Sequence, residues 1–187
     1  MQRVMGLTTL VSGLALLPGN IFSLVAAPMA GRLFDKIGAK KISITGFLIL
    51  IIGIFCLSRV SLLTTLILLI VFHSCVCISI QLILIPIQTN SLNQLPQKYN
   101  PHGVGILNTA LQLGGAFGSA IFIGLMGAIE GNQLAGLENP TIHQTRSAIV
   151  SSVDYAFLAA LAFVVIGLVL VFFIKSGKKT QGILLGE

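Results

Sequence analysis

The residues best suited to chemistry lie together: Gly31-Arg32-Leu33-Phe34-Asp35-Lys36-Ile37-Gly38-Ala39-Lys40-Lys41 sets one acid among four bases. Charges so placed can form ion pairs that break and re-form when neighbouring helices move, which is the work of a gate and not of bond making. Asp35 is expected near the start of a helix, where the N-terminal dipole favours a carboxylate. The competing reading is a short loop carrying bases for topological reasons. That explains the bases but not the Gly-x-x-x-Asp-Lys-x-Gly spacing. A second set is uncharged. Asn20, Gln81, Asn108 and Gln112 stand inside apolar runs, with Gln88 and His73 in the same company, and in such surroundings each needs a partner or water. Asn108 and Gln112 are four apart and share a helical face, so they can hydrogen-bond a bound molecule, water or a neighbouring helix. Asn20, Gln81 and Gln88 can join them around a cavity. His73 reads either as a proton carrier or as a neutral hydrogen-bonded side chain.

Other chemistries find no support. There is no phosphate-cradling loop, pair of catalytic carboxylates or Ser/His/Asp set, and Gly114-Gly115-Ala116-Phe117-Gly118 lacks the lysine a phosphate cradle requires. Cys56, Cys75 and Cys77 have no His or Cys partners at ligand spacing and read as small buried or lipid-facing side chains. Neither an enzyme nor a metal- or cofactor-binding protein is expected.

The elements that must position these groups follow from composition. Of 187 residues, 55% are hydrophobic and 9% charged, against roughly 25% charged in ordinary globular proteins. With a mean hydropathy of +1.00, a soluble domain and a disordered chain are both excluded. The net charge of +6 is no sign of nucleic acid, because the bases fall between apolar runs and are not interleaved with exposed aromatics. A spanning helix needs about 20 mostly apolar residues. Five segments qualify, at about 6–33, 42–58, 62–87, 103–129 and 153–174, followed by a tail at 175–187. The fold class is therefore all-α, a polytopic bundle whose first partner is the lipid bilayer.

Asn100-Pro101 reads as an N-cap with Pro at N1, and Ser151 with Asp154 as a capping box. The stretch from Glu130 to Ser152, with Asn139-Pro140, reads as a polar loop over the membrane surface. The second and fifth spans hold few polar groups and are expected to face lipid; the first, third and fourth are expected to face an interior. In the fourth, Ala110, Gly114 and Gly118 recur every four residues, a row that lets helix backbones approach closely, either as a sliding surface or as static packing. Pro18, Pro28 and Pro86 lie inside spans, where they bend helices functionally or passively.

Orientation follows the basic residues. Arg32, Lys36, Lys40, Lys41, Lys98, Lys175, Lys178 and Lys179 fall on one side of a five-span arrangement, and Arg3, Arg59 and Arg146 on the other. Eight against three places the first side in the cytoplasm, with the amino terminus outside and the carboxy terminus inside.

The segment Gly31 to Lys40 resembles the loop motif G-x-L-x-D-[RK]-x-G-[RK]-[RK] of the major facilitator superfamily, with Ala39 in place of the first of the final bases. Leu16-Leu17-Pro18-Gly19, Pro28-Met29-Ala30-Gly31, His102-Gly103-Val104-Gly105-Ile106-Leu107-Asn108-Thr109 and Gln112-Leu113-Gly114-Gly115-Ala116-Phe117-Gly118 are similar to the carboxy-terminal half of its fourteen-span drug:proton antiporters. The resemblance covers essentially the whole chain and makes these the last five spans of fourteen. It implies an exporter of hydrophobic small molecules, driven by proton entry through alternating access, in the plasma membrane. The gate would be Gly31, Arg32, Asp35, Lys36 and Gly38, and the partner the missing amino-terminal half. The family's membrane-embedded acids have no counterpart in the core of these spans. The rivals are a truncated remnant that moves nothing and a subunit completing a split transporter.

Overall fold

The computed structural model describes residues 8–59, 66–135, 137 and 141–174. Arg3, the starts of the first and third spans at 6–7 and 62–65, Asn139-Pro140 and the tail at 175–187 with its three lysines lie outside the described residues. Among the described residues, five helices are long and apolar enough to cross a membrane. They are α1 (Thr9–Ile37), α2 (Ala39–Leu57), α3 (Leu66–Leu92), α4 (Asn100–Leu134) and α5 (Ile142–Phe172), with a 3-10 turn at Gln97–Tyr99 before α4. Among the described residues there is no strand.

Helix starts and stops have local causes. The Thr8 side chain accepts from the Val11 amide and caps α1. Gly38 separates α1 from α2: at φ 81° it is in a conformation that side chains disfavour, while its N–H bonds back to the Phe34 carbonyl at 2.9 Å. α4 begins with Tyr99 as N-cap and Pro in its first turn, so Asn100 is already helical, one residue past the expected role. α5 begins eleven residues before Val153, the expected edge of its span, because Thr141 and Gln144 form the capping box. The Thr141 amide donates to Gln144 Oε1 at 2.8 Å, and the Gln144 amide to Thr141 Oγ1 at 3.4 Å. Ser151 and Asp154 are thus interior residues of α5, and the expected loop from Glu130 to Ser152 is helical at 130–134 and again at 142–152.

The helices pack in the spatial order α1, α3, α2, α5, α4. Neighbouring contacts fix the directions. Gly19 of α1 faces His73 and Cys77 of α3, and Ser23 faces Gln81, so these two helices run parallel. Gly46 and Gly53 of α2 face Ile83 and Val76 of α3, an antiparallel pair. A methyl at Gly46 would lie 2.9 Å from Ile83 Cγ1, which shows how closely the backbones approach. The core is Phe47, Leu50 and Ile54 of α2 with Ile83 and Val171, and Phe157 and Leu161 of α5 pack against it.

This order overturns one expectation. α2, the helix expected to face lipid, is the central one, with 39% of its most apolar stretch buried inside the chain, against 0% for α4. The physical reason is that lipid and a helix core are both apolar surroundings, so lack of polarity alone does not distinguish them. α1 and α4, both expected to face an interior, lie at the two ends of the row.

Candidate functional site

The charged segment is helical almost throughout. Gly31, Arg32, Asp35 and Lys36 lie on the last two turns of α1, and only Gly38 is a turn. Asp35 therefore sits at a helix C-terminus and not at the expected start of the next helix, whose first turn holds no acid. The segment lacks a helix breaker before Gly38, so α1 simply continues through it. A carboxylate there opposes the dipole, whereas Lys36 in the last turn complements it. Arg32, three residues before Asp35, and Lys36 beside it put positive charge around the acid on an exposed surface. Across the same end of the molecule Lys40 Nζ donates to the Phe172 carbonyl at 2.7 Å and stands 5.7 Å from the centre of the Phe172 ring. The start of α2 is thereby tied to the end of α5.

The uncharged candidates are divided among helices. Gln81, half-buried on α3, donates from Nε2 to Ser23 Oγ on α1 at 2.7 Å. One full turn and more towards the other end, His73 Nε2 and Cys77 Sγ on the same face of α3 lie 3.5 Å apart. Both press on Gly19, where an added Cβ would meet His73 Cδ2 at 2.7 Å and Cys77 Sγ at 3.3 Å. Asn20 is exposed on α1, and Asn108 and Gln112 are exposed on α4, at the far end of the helix row from α1. The structure thus joins Gln81 to α1 and does not bring Asn108 or Gln112 to them. Ala110 and Gly114 are exposed and Gly118 is half-buried. A Cβ at Gly114 or Gly118 would meet nothing within 4 Å. Phe122, the next residue of that i,i+4 row after Gly118, meets Phe163 of α5 edge-on at 6.1 Å. A concavity of about 570 Å³ beside Pro101, Gly105, Thr109 and Leu113 is lined by α4 alone and is an open groove. Among the described residues no three His, Cys, Asp or Glu side chains cluster as a metal site.

Comparison with known proteins decides the family. The model of the major facilitator superfamily matches residues 1–119. The chain belongs to that superfamily. It is 38% identical over 179 residues, 95% of its length, to the lincomycin resistance protein LmrB of Bacillus subtilis. It is 35% identical over 95% of its length to the protein of that name in Listeria innocua, and 28% identical over 95% to YcnB, an uncharacterized MFS-type transporter of Bacillus subtilis. The chain spans 37% of the Bacillus subtilis LmrB length. The superfamily resemblance carried by Gly31 to Lys40 is borne out, and with five apolar helices the chain is a multi-pass membrane protein.

Within this superfamily member the matched residues take in α1, α2, α3 and the first part of α4. The sequence reading named Gln81 and His73 but missed what faces them. The small residues Ser12, Ala15, Gly19, Ser23, Ala26 and Ala30 follow one another at steps of three and four along α1, and all are buried except half-buried Ser23. That spacing is a legible signal of a close helix seam. Cys75 and Cys77 sit on different faces: Cys77 towards Gly19, Cys75 towards Gly53.

Proposed function

We propose that the chain is part of an exporter of hydrophobic small molecules, moving them by proton-driven alternating access of two helical halves. The observation that carries this reading is the 38% identity, along 95% of the chain, to a protein named for lincomycin resistance. Lincomycin is therefore the substrate to test first. Gly31, Arg32, Asp35, Lys36 and Gly38 form the gate segment. Gln81 belongs to the seam that opens, and Asn20, Asn108 and Gln112 line the substrate path once further helices enclose it. Transport, not an enzymatic reaction, is the activity proposed.

Charge placement supports the orientation. Among the described residues, Arg32, Lys36, Lys40, Lys41 and Lys98 lie at the end where α1 and α3 finish, and Arg59 and Arg146 at the other. The first end faces the cytoplasm of a plasma membrane, and the start of α1 faces outward. Disrupting the gene should raise lincomycin susceptibility and abolish uncoupler-sensitive efflux of lincomycin from loaded cells. Unchanged susceptibility and efflux would remove the reading.

The bare stripe on α4 favours a further partner: helices contributed by the rest of a transporter, in the same polypeptide or a separate one. An antibody against Lys175 to Glu187 separates these on a membrane immunoblot. A band far above 19.7 kDa means one polypeptide; a band near that mass with a co-purifying membrane protein means a split transporter. A band near it alone, without efflux, means a remnant.

A further inference from the structure

We propose that His73 is a proton-binding site whose charging separates α1 from α3. The proposal rests on the export reading for its purpose, but not for the binding event itself. Imidazole is the side chain whose ordinary charge change falls between about pH 5 and 8. The ring comes close against the backbone of α1, since even a methyl at Gly19 would lie 2.7 Å from Cδ2 and 3.1 Å from Nε2. Its hydrogen-bond partner is a thiol, Cys77 Sγ, at 3.5 Å from Nε2. A neutral ring can accept the S–H proton or, in its other tautomer, donate to sulfur, and both suit a closed seam. A protonated ring can only donate, and a thiol sulfur is a weak acceptor for a full positive charge.

Among the described residues, neither α1, α2 nor α3 places an acid beside His73. The part of α1 that faces α3 presents Gly19 and Ser23, and the only acid of α1, Asp35, lies sixteen residues beyond Gly19, roughly 24 Å along the helix. α3 offers Cys75 and Cys77, and α2 offers Cys56 and, beyond its end, the base Arg59. A charge in this seam is therefore stabilised only by admitting water, and the Gly19 contact leaves no room for it while the helices touch. One turn on, the Ser23 and Gln81 hydrogen bond is the next tie to break as the seam opens from that end. The same residues explain how closing expels the proton: contact with Gly19 squeezes out the water the imidazolium needs.

The test is a distance measurement on the intact chain in lipid vesicles. Spin labels at positions 10 and 67, exposed at the same end of α1 and α3, are attached through ketone side chains so that Cys77 stays in place. The interlabel distance should lengthen by a few ångström on going from about pH 8 to about pH 5. His73→Gln should hold the short distance at both values, and Gly19→Ala should give the longer one at both. A wild-type distance that ignores pH overturns the proposal, as does a pH response that survives in His73→Gln, or a Gly19→Ala protein with the seam still closed. If His73→Gln does not fold, the wild-type result decides. Loss of drug export with the pH response intact would remove the transport reading and leave this one standing.

Discussion

Lys40 and Phe172 stand 132 residues apart in sequence and are joined by a 2.7 Å hydrogen bond from the ammonium to the last turn of α5. Carbonyls at a helix C-terminus have no partner within the helix, and a cation there satisfies one and complements the dipole. Because Lys40 follows Gly38, the contact links the proposed gate segment to the final helix. Lys40→Met should destabilise the protein by about 0.5–1 kcal/mol, and Lys40→Arg by less. Thermal unfolding in detergent reads the first effect, and faster proteolysis after α5 reads the local one. Equal stability and proteolysis in all three proteins would show the tie to be incidental.

The Ser23 and Gln81 pair is a polar side-chain bond between α1 and α3. In a membrane such bonds are worth about 0.6 kcal/mol by double-mutant cycles, because the separated helices find other partners. Ser23→Ala and Gln81→Leu should therefore couple by about that much. A coupling near zero would mean that the close approach at Gly19 and Ala26 holds the seam without it.

Much of the helix content was legible because a run of apolar residues long enough to span has few other fates. The ends were less so. Ser151 with Asp154 has the spacing of a cap, yet Thr141 with Gln144 has the actual geometry, and nothing between them breaks the helix. Gly31 to Ile37 reads as a loop by family habit and polarity but contains no proline, and past Gly31 no further glycine, so α1 runs on to Ile37. The central place of α2 was hidden, since Phe47 and Leu50 suit lipid and protein alike. His73 and Cys77 are visibly on one face, four residues apart, but their partner Gly19 comes from another helix, and that relation exists only in three dimensions.

Two glycines should respond oppositely to one substitution. Gly46 has Ile83 Cγ1, Leu82 Cβ and the Leu82 backbone within 3.2 Å of an added Cβ, so Gly46→Ala should cost about 1–3 kcal/mol through overpacking. Gly114 meets nothing within 4 Å. In a chain without further helices Gly114→Ala should stabilise α4 by up to about 1 kcal/mol. In a complete transporter that seats another helix on this stripe, Gly114→Leu should lower both yield and export. Unimpaired export with Leu at this position would mean that the row of Ala110, Gly114 and Gly118 is not an interface.

Asp35 lies at the wrong end of a helix for its charge, with Arg32 about one turn before it and Lys36 next to it in sequence, which suits a group engaged in one conformation and released in another. Asp35→Asn keeps size and shape while removing the charge. A charge at a helix end is worth up to about 1 kcal/mol, or about fivefold in an equilibrium. If that equilibrium sets the cycle, initial efflux rate should fall about fivefold while drug affinity, measured by ligand binding to purified transporter, changes little. Asp35→Glu should recover part of the rate. A parallel loss of binding would assign Asp35 to the substrate path, and an unaltered rate would remove it from the gate.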